Sequence, residues 1–176
     1  MKRITLAAMG ILPFLAAACS TLNDTAPAEL ATANLINAQG QQVGSVRLVD
    51  YGDSRAMRLS VTSIAPGTHG FHLHTTGQCT APDFQSAGGH LNPQNYQHGQ
   101  LNPQGKHLGD LPNIDIPSNG TLTTEIAIDG SRDYLITELF DADGTAVMIH
   151  SGADDYRTDP AGDAGSRIAC GILGRS

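Results

Sequence analysis

Short stretches of alternating apolar and polar residues run along most of this chain from Leu30 onward. In one of them, residues 56–64, Met57, Leu59 and Val61 fall on the same face. Successive side chains of a strand point to opposite faces, so this period of two predicts half-buried β-strands. The strands predicted with bounds cover 43–50, 56–64, 70–74, 121–128, 133–140, 145–150 and 166–173.

Turn-forming residues separate these stretches and set the expected fold class. Residues 51–54 and 141–144 are predicted hairpin turns, and the chain contains 20 glycines and 9 prolines. About eight strands at this spacing favour an all-β antiparallel sandwich or barrel. Two long loops remain, 75–112 and 151–165, and structureless loops of such length are usually functional. The repeated Leu-Asn-Pro-Gln at 91–94 and 101–104 is interpreted as two similar turns.

The first 19 residues are predicted to be a signal peptide. Lys2 and Arg3 precede an apolar run, and Ala16-Ala17-Ala18-Cys19 ends it. That ending fits an ordinary cleavage site or a bacterial lipobox with Cys19 lipidated, although Ala16 stands where leucine is usual. Residues 20–29 are interpreted as a flexible tether and 30–176 as one domain. Ser20 after Cys19 favours the outer membrane as the anchoring site.

The charge of the chain argues against nucleic acid as a partner. The formal net charge is -7, and the first 19 residues contain two of the 10 basic residues and none of the 17 acidic ones. The mature chain therefore has eight basic and 17 acidic residues, a net charge of about -9. Binding to phosphate backbones needs a basic surface instead.

Histidines are concentrated in one part of the chain. Six of seven lie between His69 and Asp110, and the seventh is His150. His72 and His74 are one residue apart on a predicted strand, so both rings face one way and form half of a copper or zinc site. His90, His98, His107 and Asp110 lie in the long loop and suit zinc. For each histidine alone the alternative is a surface or hydrogen-bonded residue, but that alternative does not explain all of them together in one long loop.

The order of the motifs resembles the copper–zinc superoxide dismutase family, in particular its exported bacterial branch. The motifs are HGFHLH, Gly77-Gln78-Cys79, AGGHLNP, KHLGDLP, MIH and GSRIACGIL, and the resemblance covers about Leu30 to Gly174. It implies an eight-stranded antiparallel Greek-key sandwich or barrel with two long functional loops. It also implies dismutation of superoxide to dioxygen and hydrogen peroxide, with one copper and one zinc per chain, protecting the cell envelope.

The resemblance assigns roles to residues of this chain. It implies copper ligands His72, His74, His90 and His150, and zinc ligands His90, His98, His107 and Asp110, with His90 bridging the two metals. Arg167 is expected to guide the anion, and Asp154 to hydrogen-bond a ligand of each metal. His69 is expected to support a strand without binding metal. A disulfide between Cys79 and Cys170 is implied, which leaves Cys19 as the third cysteine.

Steering of an anionic substrate is expected to be weak in so acidic a chain. It would rest on Arg167 and the metals, with help from Lys106 or Arg157. A non-catalytic copper- or zinc-binding envelope protein on the same fold is the alternative. A metal-dependent hydrolase is disfavoured because the cluster offers only Asp110 as a carboxylate. The sequence leaves open a monomer or a homodimer, with the periplasm or the outer membrane as its location.

Overall fold

The computed structural model describes residues 26–176. The signal peptide, Cys19 and most of the predicted tether lie outside the described residues. No helix within 26–176 has the length and apolar character needed to cross a bilayer.

Within residues 26–176, nine antiparallel strands form one sheet. They are β1 (Ala28–Asn37), β2 (Gln42–Asp50), β3 (Arg55–Val61), β4 (Gly67–His74), β5 (Asp110–Ile116), β6 (Leu122–Ala127), β7 (Ala146–His150), β8 (Arg167–Ile172) and the two-residue β9 (Gly174–Arg175). The order is β5-β4-β7-β8-β1-β2-β3-β6, and β9 pairs with β1. The two end strands, β5 and β6, approach each other, so eight strands form a nearly closed barrel. The predicted all-β antiparallel fold is confirmed.

The alternation seen in the sequence places the core inside the barrel. Met57, Leu59 and Val61 of β3 are buried, and Phe71 and Leu73 of β4 are fully buried in the same cluster. A smaller apolar cluster lies on the outer face, where Phe84 and Ala87 of the long loop cover Ala146, Met148 and Cys170. The loop after β4 is therefore packed onto the barrel.

The strand predicted over 133–140 is wrong, because this segment is an α-helix. Helix α1 spans Arg132–Leu139, and the side chain of Ser131 accepts a hydrogen bond from Tyr134 N at its start. Serine is a favoured helix N-cap. Leu135 and Leu139, one helical turn apart, are both fully buried. This i, i+4 spacing is the signal of a helix with one buried face.

Strand β5 was not among the predicted strands, and its start falls within the predicted loop 75–112. Pro112 lies in this strand and lacks the N–H that a ladder requires. Proline is confined to edge strands and bulges. β5 ends the strand order, and its pairing with β4 shifts register between His69 and Phe71. Strand β5 tolerates Pro112 because it ends the strand order and pairs irregularly with β4. The same proline is the reason that the sequence did not predict a strand here.

The repeated Leu-Asn-Pro-Gln marks two turns, as the sequence predicted, and in each an asparagine side chain accepts a backbone hydrogen bond. Asn92 Oδ1 accepts a hydrogen bond from Tyr96 N at 3.0 Å. Asn102 Oδ1 accepts one from Gln104 N, also at 3.0 Å.

Candidate metal centre

Strands β4 and β7 position the first group of histidines. β4 pairs with β7, and His150 ends β7 beside the strand that contains His72 and His74. Phe71 and Leu73 point into the core. The alternate residues His72 and His74 therefore point out of the barrel. The Nε2 atoms of His74 and His150 are 3.4 Å apart. With His90 these side chains form a donor set whose ligand atoms all lie within 4.8 Å of one another, called the first donor set here.

His90 reaches this site because its loop is hydrogen-bonded to the end of β4. Thr75 N donates to Gly89 O at 2.9 Å, and Leu91 N donates to Leu73 O at 2.8 Å. The backbone on both sides of His90 is therefore fixed. Its ring lies between the other first-set histidines and Asp110, with Nδ1 at 2.8 Å from Asp110 Oδ1.

A second donor set surrounds Asp110 at the start of β5. Its members are His90, His98, His107 and Asp110. The Nδ1 atoms of His98 and His107 are each 3.0 Å from Asp110 Oδ1. His90 belongs to both sets, so one imidazole lies between two adjacent groups of donors.

Outer hydrogen bonds determine which nitrogen of each ring faces inward. The bonds are His74 Nδ1 to Gly88 O at 2.9 Å, His150 Nδ1 to Gly165 O at 3.2 Å and His107 Nε2 to Tyr96 O at 3.1 Å. A carbonyl only accepts, so the ring nitrogen donates. In a neutral imidazole the other nitrogen then presents its lone pair to the donor set.

Asp154 connects the two sets from outside. Its Oδ2 lies 2.9 Å from His72 Nε2, and its Oδ1 lies 2.9 Å from His98 Nε2. Gly162, with φ at +65°, closes the loop over this carboxylate, and a Cβ there would collide with Asp154 and His98. A glycine is therefore required where the loop passes these groups.

Asn113 fixes the backbone of Asp154, and nothing in the sequence had pointed to it. Its Nδ2 donates to Asp154 O at 2.8 Å, while its Oδ1 accepts from Asp154 N at 2.8 Å. Asn113 N donates in turn to the Tyr156 hydroxyl at 2.8 Å. Because Asn113 lies on β5, three residues after Asp110, the barrel positions both the ligand-set aspartate and Asp154.

The donor sets fit metal cations. Three buried ring nitrogens have no hydrogen-bond partner among the described residues: His72 Nδ1, His90 Nε2 and His98 Nδ1. A buried polar atom without a partner costs about 1–3 kcal/mol. All three belong to the donor sets, and a bound cation would satisfy them. Imidazole suits copper and zinc, and three imidazoles with one carboxylate suit zinc.

Burial adjusts the protonation of the rings. It lowers the pKa of His74 to about 2 and those of His90 and His150 to about 4. Burial acts the same way on His98, but the adjacent Asp110 carboxylate and the hydrogen bond to Asp154 outweigh it and raise the His98 pKa to about 9. The first three rings are thus neutral at pH 7 and ready to bind a cation, whereas at His98 a metal competes with a proton.

An open cleft of about 760 Å³ leads to the first donor set. Its lining includes His74, His90, His150 and Arg167. Arg167 donates from Nη1 to Phe84 O and from Nη2 to Gly88 O, each at 2.6 Å. Both carbonyls belong to the long loop, which a Cys79–Cys170 disulfide joins to β8. The loop and the disulfide therefore hold the Arg167 guanidinium in place at the mouth of the site.

Three other residues of the sequence analysis lie outside the donor sets. His69 bonds the His150 carbonyl through Nδ1 at 2.7 Å and the Ala65 carbonyl through Nε2 at 2.9 Å. Lys106 forms an ion pair with Asp129 at 2.8 Å, and Arg157 donates to Leu101 O at 3.3 Å. Neither of these cations lines the cleft, so any help they give in steering would act from a distance.

A nearly closed antiparallel barrel with two adjacent histidine-rich donor sets that share one ring defines a class of protein with a two-metal centre. The profile described as copper/zinc superoxide dismutase (SODC) matches residues 42–173. That match covers about three quarters of the chain. The chain belongs to the copper/zinc superoxide dismutase family.

Individual relatives agree with the profile. The chain is 39% identical over 144 residues to Superoxide dismutase [Cu-Zn] 1 of Aquifex aeolicus, covering 80% of this chain and 85% of the relative. It is 33% identical over 185 residues to Superoxide dismutase [Cu-Zn] of Escherichia coli K12, covering 98% and 99%. The crystal structure of a SOD-like protein from Bacillus subtilis superposes with a TM-score of 0.77 at 38% identity, covering 84% of this chain and all of that one.

Proposed function

We propose that this protein catalyses the dismutation of superoxide, with copper in the first donor set and zinc in the second. Two superoxide anions and two protons give one dioxygen and one hydrogen peroxide. The observation that carries the proposal is the position of His90. Its ring belongs to both sets and lines the cleft that Arg167 flanks.

Copper, when bound, supplies one-electron redox chemistry, and zinc supplies a fixed charge without redox change. Arg167 binds and orients the anion, since its guanidinium is charged at all working pH values and two bonds to carbonyls hold it still. The Nδ1 atom of His90 faces Asp110 in the second set, whereas Nε2 has no hydrogen-bond partner among the described residues. His90 can therefore hold a proton at Nε2, beside the cleft, and deliver it to the departing peroxide.

A non-catalytic copper- or zinc-binding protein is the alternative function. Such a protein would need the donor sets but would have no use for a guanidinium fixed at the mouth of an open cleft. Arg167 and the accessible His90 therefore favour catalysis.

Elemental analysis combined with superoxide decay on the same sample tests the proposal. Protein loaded with both metals should contain about one copper and one zinc per chain, as two four-donor sites require. It should also accelerate superoxide decay. Zinc alone, without activity after copper is supplied, would assign the protein to the non-catalytic alternative.

We expect that replacing Asn113 with alanine will weaken zinc binding about tenfold, a typical effect of losing an outer partner of a ligand. The change removes both bonds to the Asp154 backbone and lets the carboxylate drift from His98 and His72. Asn113→Asp keeps an acceptor for Asp154 N and should lose less. Zinc affinity is measured by chelator competition, and the copper geometry by the Cu(II) electron paramagnetic resonance spectrum.

Asn119→Ala serves as the matched control for this experiment. Asn119 Oδ1 also accepts a backbone bond, from Thr121 N at 3.1 Å, but it lies in the β5–β6 turn. If Asn113→Ala and Asn119→Ala lowered stability alike and left zinc affinity unchanged, Asn113 would have no positioning role.

The proposed location is the cell envelope, where the enzyme would remove superoxide outside the cytoplasm. The proposal rests on the signal-like residues 1–19 and on the disulfide, which persists in oxidising compartments. We further propose that Cys19 is lipidated and that residues 20–29 separate the domain from the outer membrane.

Labelling with radioactive palmitate should mark the native chain and leave Cys19→Ala unmarked. Cys19→Ala protein should then appear in the soluble periplasmic fraction. An unlabelled native chain, also found in the soluble fraction, would reduce Cys19 to a residue beside an ordinary cleavage site.

The proposed reaction requires only one copy of the chain. Both donor sets and the residues of the cleft come from a single chain. The proposed chemistry therefore does not depend on a homodimer.

A further inference from the structure

Acidic side chains outnumber arginines and lysines in the lining of this cleft, although the proposed substrate is an anion. Besides histidines, the charged side chains in the lining are Asp83, Asp159 and Arg167. Two carboxylates thus accompany one guanidinium, in a chain whose formal net charge is already -7. The proposed function gives no role to either carboxylate.

Asp83 is the carboxylate whose charge is free to act on the cleft. It is exposed, and its Oδ1 accepts a hydrogen bond from Gln85 N at 3.2 Å. Among residues 26–176 it forms no ion pair. Asp159 is different, because its Oδ1 accepts a hydrogen bond from His98 N at 2.7 Å and so supports a donor-set loop.

The negative charge of Asp83 acts electrostatically on the Arg167 guanidinium. Burial lowers the pKa of Arg167, and the negative charge of Asp83 opposes that shift. The two groups therefore interact across the mouth of the cleft without touching. Any anion that approaches Arg167 meets the same carboxylate.

We infer that Asp83 determines the specificity of the cleft, because its charge discriminates against multiply charged anions at Arg167. Coulomb energy is proportional to the charge of the anion. Arg167 and two bound metals would by themselves attract a dianion, such as phosphate or sulfate, more strongly than a monoanion. The Asp83 charge repels a dianion twice as strongly as a monoanion and so offsets that preference. The inference rests on the proposed function only in naming superoxide as the monoanion that benefits.

Anion binding to Asp83→Asn tests this inference. Asparagine keeps the oxygen that accepts from Gln85 N and removes only the charge. The metal-loaded protein is held in its reduced, diamagnetic state, and nitrate and sulfate are titrated at a fixed low ionic strength. The NMR signal of the Arg167 Nε–H reports binding. Asp53→Asn in the β2–β3 turn is the control with the same change in net charge.

Asp83→Asn should raise nitrate affinity about twofold and sulfate affinity about fourfold, the square of the first factor, as a doubled Coulomb energy requires. Asp53→Asn should change neither by a measurable factor. Equal gains for both anions, gains equal to those of Asp53→Asn, or no saturable shift of the Arg167 signal in either protein would each overturn the inference. The titration needs no turnover, so its failure is distinguishable from a failure of the dismutase proposal.

Discussion

Replacing His150 with alanine should lower superoxide dismutation more than about 100-fold while zinc stays bound. Loss of an outer partner of a metal ligand typically costs 10–100-fold, and loss of a ligand itself should exceed that range. His150 Nε2 faces His74 Nε2 in the first donor set and has no part in the second. The fold should persist, because His69 bonds the backbone carbonyl of residue 150, which alanine retains.

His107→Ala provides the reciprocal measurement. His107 belongs only to the second donor set, so this variant should lose zinc and keep copper in the first donor set. Both metals are determined by elemental analysis, and activity by superoxide decay after pulse radiolysis. If His150→Ala retained copper and a tenth of the native activity, the assignment of the first donor set to copper would be wrong.

Removing the disulfide by replacing Cys79 and Cys170 with serine should lower the free energy of unfolding by about 4–5 kcal/mol. The two residues are separated by 91 positions, and the chain-entropy model gives this magnitude for so long a loop. Cys170 is also fully buried, beneath Phe84. Catalysis should fall as well, since the tethered loop provides the Phe84 and Gly88 carbonyls that hold Arg167.

Urea unfolding of the metal-free protein measures the stability change without the contribution of bound metal. Reduced native protein is the matched control, because it lacks the bond but keeps both sulfur atoms. A loss below about 1 kcal/mol in both would mean that packing of Phe84, and not the covalent link, holds the loop.

Periodicity and residue clustering made much of this structure predictable. Alternation along 56–64 marked β3, and the His-x-His at 72 and 74 placed both rings on one face of β4. The alternation assumed for 133–140 failed, because Leu135 and Leu139 are buried at helical spacing. Pro112 concealed β5, since a proline argues against a regular ladder unless the edge position is known.

The outer shell of the site lay beyond sequence reasoning for a physical reason. The groups that orient His74, His150 and His107 are backbone carbonyls, which every residue possesses. Nothing in the sequence distinguishes Asn113 from the other asparagines. Its role depends on the contact between β5 and the loop after β7, which only the folded structure shows. The spacing of residues along the chain suggested a metal site near His90, but it could not show that His90 belongs to both donor sets. The family resemblance implied this, and the structure places His90 in both sets.

The two donor sets are attached to the barrel in different ways, and this difference bears on how the family can diverge. His72, His74 and His150 lie on paired central strands, so an insertion or deletion there would disturb the ladder between β4 and β7. His98 and His107 lie in a loop that insertions and deletions can alter without affecting a strand. Insertions and deletions would therefore displace ligands of the second donor set more readily than ligands of the first. Length differences among descendants of this chain should concentrate between residues 91 and 107.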